Sequence, residues 1–304
     1  MERVLHIFDS LPFIHAGAIN KYSVLEKLVD AGTTWRMQTT PTGGVRWLLK
    51  NIYTAAGNGD VFVASDRTPT IKKDMYPEYK ANREHDLVIN IQRGVAEYIL
   101  QECNITVVAR AGYEADDIIY SAVKKYYDRY DKIHIYTGDS DMAFLIDEKV
   151  DICPASSRAK HITRDNYEEI AIRGGVKYNC ATMFKILCGD RSDNIPALPT
   201  EKQYELAKLF YRDGWYEQLG DKAFVREWMQ LLSPNEVSQV DLVFPLDVTD
   251  LPDELKTWNK QMLINFGDAV GGDIFLGRAA VDFDIEPHIT AMHSMGYYVE
   301  GDTR

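Results

Sequence analysis

The chain has little of what would tie it to a membrane or to an oxidising compartment. No apolar stretch among its 304 residues approaches the roughly 20 that a membrane-spanning helix needs. The first apolar run, Val4 to Phe8, is short and is broken by Asp9, so it does not read as a signal peptide. The four cysteines, Cys103, Cys153, Cys180 and Cys188, form no CxxC pair and no zinc spacing. They read as reduced, mostly buried thiols, which predicts an intracellular, cytoplasmic protein. Internal repeats and low-complexity tracts are absent as well. What is left is an ordinary soluble composition, 45% hydrophobic and 26% charged, long enough for about two domains.

A net charge of −12 argues at first against a nucleic-acid partner. The balance is uneven along the chain. Residues 201–304 carry 9 basic against 19 acidic residues, which leaves 25 against 27 in residues 1–200. Nine of those 27 acids are clustered in packets, and without them the count is 25 against 18. The front of the chain reads as a mildly basic body around an acidic pit, able to hold a polyanion by its phosphates.

Short apolar runs at 4–8, 61–65, 105–109 and 132–136 alternate with helical patterns, with a further short strand at 150–152. This predicts an α/β fold with a mostly parallel sheet. Helical periodicity follows Asp117 and recurs at 167–171, 180–187, 201–211, 223–232 and 255–266. Residues 235–252 read as irregular or partly extended, and the last ~35 residues show no pattern that places them. The Gly/Asp/Pro-rich stretch at 187–200 marks a boundary, giving expected domains 1–186 and 187–304.

The clustered acids are Asp9, Asp66, Glu114/Asp116/Asp117, Asp139/Asp141 and Asp190/Asp193. Three of the packets stand just past a predicted strand, where open α/β sheets bind their ligands. Side by side they would repel one another, and a shared cation resolves the conflict. Oxygen ligands with no His or Cys among them suit Mg²⁺, with Mn²⁺ as substitute. That removes zinc and the metalloprotease reading. Two such ions can activate water and stabilise a leaving oxygen in phosphodiester hydrolysis.

A basic and aromatic packet spans 72–83. Lys80 and Arg83 are three apart, so a helix would aim both at one place, suited to a scissile phosphate. Lys72 and Lys73 add phosphate contacts, and Tyr76 and Tyr79 offer faces for base stacking.

Four strings now carry a resemblance: Tyr-Pro-Glu-Tyr-Lys-Ala-Asn-Arg at 76–83, Gly-Tyr-Glu-Ala-Asp-Asp at 112–117, Thr-Gly-Asp-Ser-Asp-Met at 137–142 and Gly-Asp-Arg-Ser-Asp-Asn-Ile-Pro at 189–196. Together with Asp9 and Asp66 they resemble the 5′-nuclease family over residues 1 to about 200. That family comprises flap endonucleases, the 5′-nuclease domain of bacterial DNA polymerase I and bacteriophage 5′ nucleases; the phage type is the nearest in pattern. The resemblance implies a PIN-like α/β domain with a helical arch and a smaller, mainly helical C-terminal region. It also implies two divalent metals and 5′→3′ exonuclease and flap endonuclease activity during replication. Asp9, Asp66, Glu114 and Asp116 match its first metal site, and Asp139, Asp141 and Asp193 its second. Asp117 and Asp190 match outer acids, and Lys80 and Arg83 the basic pair of the arch. The implied partner is DNA with a 5′ flap, nick or RNA primer, with a single-strand-binding protein or clamp as helper. The expected protein is a monomer without membrane contact, in the host cytoplasm if phage-encoded.

One departure stands out. Ala197 to Gln203 occupies the place of the family's Gly-x-Gly hairpin, which holds potassium and grips duplex phosphate. Without those glycines the backbone cannot approach phosphate as closely, so potassium is left out of the expected ion set and the helix–turn–helix clamp is expected in altered form. Two other readings compete, a PIN-type single-strand ribonuclease and a non-catalytic DNA-junction binder. The arch motif argues against the first and the intact acid set against the second.

Overall fold

The apolar runs do become buried parallel strands. In the computed structural model, which describes residues 2–18, 24–30, 35–83, 86–138, 141–154, 161–167, 180–212, 218–232, 234–236, 238–271 and 283–301, strand β1 is Val4–Asp9 and is buried from Leu5 onward. Strand β4 (Asp60–Ala64) is buried from Val61 onward. With β5 (Thr106–Val108), β6 (Lys132–Thr137) and β7 (Val150–Pro154) they make a five-stranded sheet in the order β5-β4-β1-β6-β7. The β1–β4, β4–β5 and β6–β7 pairings are parallel. Continuous apolar strands of this kind are what a sheet covered on both faces needs.

Contacts group the chain into two units, each drawn from several stretches. The first holds residues 1–4, 66–84 and 109–251. Its helices are α3 (Thr70–Met75), α5 (Ala115–Tyr126), α6 (Ala181–Cys188), α7 (Thr200–Arg212), α8 (Lys222–Leu232) and α9 (Ser238–Val243). Helix α5 has a polar start and an apolar body, and Ile118, Ile119, Ala122 and Val123 are all buried. Near the carboxylates a small core forms from Tyr79, Ile195 and Leu242, with Tyr76 and Val243 packed against it.

The second unit holds residues 5–65, 85–108 and 252–304. It contains β1 from Leu5 onward, β4, β5, α1 (Ser10–Ala18), α2 (Gly43–Ala56), α4 (Leu87–Glu102), α10 (Lys260–Gly271) and α11 (Glu286–Ser294). It also contains a second sheet that the hydrophobic pattern did not announce. Strands β2 (Val24–Asp30), β3 (Trp35–Pro41) and β8 (Val299–Gly301) run antiparallel in the order β2-β3-β8. Close approach of α1 to α2 depends on glycine: a Cβ on Gly17 would lie 2.6 Å from the Gly43 carbonyl oxygen, and one on Gly44 would lie 2.4 Å from that of Ile14.

Several expectations need correction. Residues 238–243 are helical where an irregular segment was predicted. Its acid, Asp241, does not break the helix because Lys222 and Arg226 pair with it. The helix predicted over 255–266 starts later, at Lys260. Asn259 fixes that start by accepting the Met262 N–H at 3.0 Å, a cap interaction. The predicted helix at 167–171 falls largely outside the described residues. No helix among the described residues is long and apolar enough to cross a membrane.

Candidate active site

The acids are set by the ends of the elements. Asp9 closes β1, opposite Ala64 in register; it is 6% exposed, and its Oδ1 accepts the Leu11 N–H at 3.3 Å. Asp9 belongs to the second unit, whereas the other described acids of the set belong to the first. Asp66 lies two residues beyond β4 and accepts the Ala115 N–H at 2.9 Å, at the start of α5. Glu114 is the N-cap of α5 rather than a residue within it, and its own N–H donates to Asp117 Oδ2 at 2.9 Å. Asp117 also accepts the Leu246 N–H at 2.6 Å and is fully buried, so it works as an anchor for the helix start and the 246 segment. Asp116, in the same first turn, turns instead to the pocket. Asp139 lies outside the described residues.

One open pocket in the first unit is lined by Asp116, Asp141, Asp190 and Asp193 together with Lys72, Lys185 and Tyr79. Met142, Ile195, Leu242, Val243 and Pro245 form its apolar wall. Asp190 is positioned by its own turn. An antiparallel bridge joins it to Ile195, and its Oδ1 accepts the Ser192 N–H at 2.8 Å and the Ser192 hydroxyl at 2.6 Å. The turn needs Gly189, whose φ is +72° and whose added Cβ would lie 2.5 Å from the Ile195 carbonyl oxygen.

The acids are not left to repel one another, as the sequence alone suggested. Lysines stand among them. Lys72 lies 3.2 Å from Glu114 and 3.5 Å from Asp117. Lys80 pairs with Glu114 and lies 3.5 Å from Asp193. Lys185 pairs with Asp141 and sits 2.5 Å from Asp190, while Arg83 sits 2.5 Å from Asp193. Burial alone would raise the Glu114 carboxyl, but Lys72, Lys80 and the Tyr79 hydroxyl hold it at about 2. Burial opposes Asp190 ionisation too, and Lys185 and Ser192 outweigh it, leaving the group at about 2. The lysines respond in kind: against the cost of burial, the surrounding carboxylates hold Lys72 and Lys80 above the ordinary lysine range. Glu114 and Asp190 are therefore anionic, and Lys72 and Lys80 cationic, at neutral pH.

The basic packet differs in shape from its prediction. Residues 77–82 form turns and not a helix, and Lys80 takes a positive φ of 52°. Its backbone N–H donates to the Asp193 carbonyl at 2.9 Å, and Asn194 Nδ2 donates to the Glu78 carbonyl at 2.9 Å. These bonds dock the basic turn on the 190–195 turn. Lys80 and Arg83 still converge, both on Asp193. Two assignments to nucleic acid do not hold. Lys72 is 3% exposed and engaged by two carboxylates, so it faces inward. Tyr79 is 1% exposed with its hydroxyl 2.7 Å from Glu114, so its ring is part of the core and offers no face for a base. Tyr76 and Lys73 remain half-buried, and Arg83 is 52% exposed. Lys185 was not singled out from the sequence; its place on the inner face of α6, four residues before Gly189, was the available signal.

Parallel strands feeding an all-oxygen set of acids, with cations interleaved, define an α/β carboxylate pocket suited to hard divalent ions. Residues 21–171, about half of the chain, match the family described as 5′-3′ exonuclease, N-terminal resolvase-like domain. The chain is 32% identical over 220 residues to DNA polymerase I of Caldicellulosiruptor bescii, covering 67% of this chain and 26% of that one. It is 32% identical over 166 residues to the 5′-3′ exonuclease of Bacillus subtilis, covering 52% of this chain and 55% of that one. Among solved structures, bacteriophage T5 D15 protein co-crystallized with metal ions matches with a TM-score of 0.54 at 17% identity, over 96% of this chain and 99% of that one. This likeness shows a common fold. The chain belongs to the 5′→3′ exonuclease family. It spans about a quarter of the polymerase relative and about half of the Bacillus exonuclease.

Proposed function

We propose that this protein is a divalent-metal-dependent 5′→3′ nuclease that hydrolyses phosphodiester bonds near the 5′ ends of DNA flaps, nicks or RNA primers during replication. One observation carries the reading: the basic turn 76–83 is hydrogen-bonded to the acidic turn 190–195, so Lys80 and Arg83 converge on the carboxylate pocket. A phosphate drawn to those cations would stand beside acids able to hold metal. The DNA polymerase I and exonuclease relatives, and the T5 D15 flap endonuclease crystallised with DNA and metal ions, agree with this substrate class.

The donor chemistry fits hard cations, since every acid facing the pocket offers carboxylate oxygen only. Asp66, Glu114 and Asp116 are the proposed holders of a first ion, with Asp9 added on the sequence resemblance alone. Asp141 and Asp193 are proposed for a second, with Asp139 from the same resemblance. Mg²⁺ is the proposed ion, and Mn²⁺ its substitute. When bound, such ions supply an activated water and charge stabilisation for the leaving oxygen. The chain's own part is electrostatic and positional. Lys80 and Arg83 orient the scissile phosphate, Tyr79 holds Glu114 through its hydroxyl, and Asp117 and Asp190 fix the two turns that carry the acids. Residues 187–304 are proposed to supply duplex contacts, with Tyr76 and Lys73 on the single strand. A monomer helped by a single-strand-binding protein or clamp completes the reading.

The test is cleavage of a 5′-labelled flap duplex with Mg²⁺ and with EDTA. Short 5′ products that disappear with EDTA are expected. Binding without cleavage would point to a junction binder, and cleavage confined to single-stranded RNA would point to a ribonuclease.

Lys80→Ala is expected to slow the single-turnover step far more than it weakens binding, by on the order of 2–4 kcal/mol of transition-state stabilisation. An unchanged single-turnover rate with a matching loss of affinity would make Lys80 only a distant phosphate contact.

A further inference from the structure

A second group of ligating side chains lies on β6 and β7, and the nuclease reading makes no use of it. In the parallel register His134 stands opposite Asp151, and Tyr136 opposite Cys153. Side chains alternate along a strand, so His134, Asp151 and Cys153 share one face of the sheet. His134 Nδ1 is 2.5 Å from Asp151 Oδ1, and Cys153 Sγ is 3.7 Å from that same oxygen. One ligand atom from each of the three lies within 4.8 Å of the others. Ligands of one tetrahedral zinc, each bonded at about 2.0–2.3 Å, stand about 3.3–3.8 Å apart, so only small rotations separate this arrangement from a coordination sphere. A further imidazole is at hand. The backbones of Ile152 and Ile162 exchange hydrogen bonds of 2.9 and 2.8 Å, which brings His161 alongside with its ring centroid 6.0 Å from that of His134.

The chemistry differs from that of the carboxylate pocket. A histidine–aspartate ion pair on its own needs no buried thiol beside its carboxylate. Two nitrogens, one thiol sulfur and one carboxylate oxygen form a borderline-soft set, which favours zinc over magnesium. His134 and Asp151 are 21% and 15% exposed at their side chains, so an ion can enter from solvent, while Cys153 closes the inner side at 2%.

We propose that His134, Asp151 and Cys153, completed by His161, form a zinc-binding site that ties β6 to β7 and to the segment beyond it. Burial, aided by Asp151, pushes the Cys153 thiol up, so the sulfur is protonated without metal. On binding, the S–H bond breaks, a metal–sulfur bond forms and the proton leaves to solvent. The site's role is structural: it fixes an edge of the sheet whose β6 strand leads towards Asp141.

Cobalt(II) added to the chelator-treated full chain is the probe. One equivalent should produce a thiolate-to-cobalt charge-transfer band that zinc then abolishes by competition. Cys153→Ser should lose the band, whereas Cys188→Ser, which alters an exposed cysteine, and Asp190→Asn should keep it. Asp151→Asn and His161→Ala should each weaken zinc binding at least about tenfold while leaving the far-ultraviolet circular dichroism of the metal-free chain unchanged. Cleavage by Cys153→Ser in Mg²⁺ should match wild type, so the outcome does not depend on the nuclease reading. A missing band in wild type, or a band that survives Cys153→Ser, would overturn the proposal.

Discussion

Asp141→Asn is expected to lower turnover by at least about three orders of magnitude while leaving flap-duplex binding intact or slightly tighter. Asp141 stands at the pocket beside Lys185, at the start of the 3₁₀ turn that follows β6. An amide there keeps the shape but loses the negative charge that would hold a divalent ion, and stabilisation of the leaving oxygen goes with it. Binding moves the other way because one repulsive charge near the phosphate is gone. Single-turnover cleavage at saturating Mg²⁺, beside equilibrium binding in Ca²⁺, separates the two effects. A cleavage rate within tenfold of wild type would remove Asp141 from the proposed second-ion set.

The parts of the molecule that were legible in the sequence are those governed by local pattern. β1 and β4 are short apolar runs buried almost throughout, and β5, β6 and β7 carry enough buried apolar residues that none of the five needs a partner to be recognised. Helix α5 showed itself through a polar start and a 3.6-residue apolar stripe. The antiparallel sheet was invisible for the opposite reason. Trp35 to Pro41 is largely polar, and β8 has three residues that gain a strand's identity only by pairing Met37 with Gly301, 264 positions away. No window of sequence holds that information. The acids were legible as packets, yet their neutralising lysines were not, because Lys72 and Glu114, or Lys185 and Asp141, meet only through the fold. The His134, Asp151 and Cys153 group is of the same kind: it has no ligand spacing and exists through strand register alone. Tyr79 was misassigned because a tyrosine in a basic turn looks alike whether its ring faces solvent or core.

Lys72→Met should destabilise the metal-free protein by roughly 3–5 kcal/mol, the cost of breaking a buried charge group by removing one partner. Lys72 is 3% exposed, Glu114 5% and Asp117 fully buried, so solvent cannot replace the missing ammonium. Asp117 retains two backbone N–H donors, from Glu114 and Leu246, and Glu114 retains Tyr79 and Lys80. Those contacts keep the fold but leave excess negative charge shielded from solvent. A divalent ion supplies the missing positive charge at Glu114 and binds the folded state only, so saturating Mn²⁺ should restore part of the loss. Urea melts in EDTA and in Mn²⁺, with the exposed Lys50→Met as a control expected to stay within about 0.5 kcal/mol of wild type, measure both terms. If Lys72→Met in EDTA melts within about 1 kcal/mol of wild type, the buried ammonium does not hold these two carboxylates in place. If the loss appears and Mn²⁺ restores none of it, Glu114 is not a ligand of the first ion.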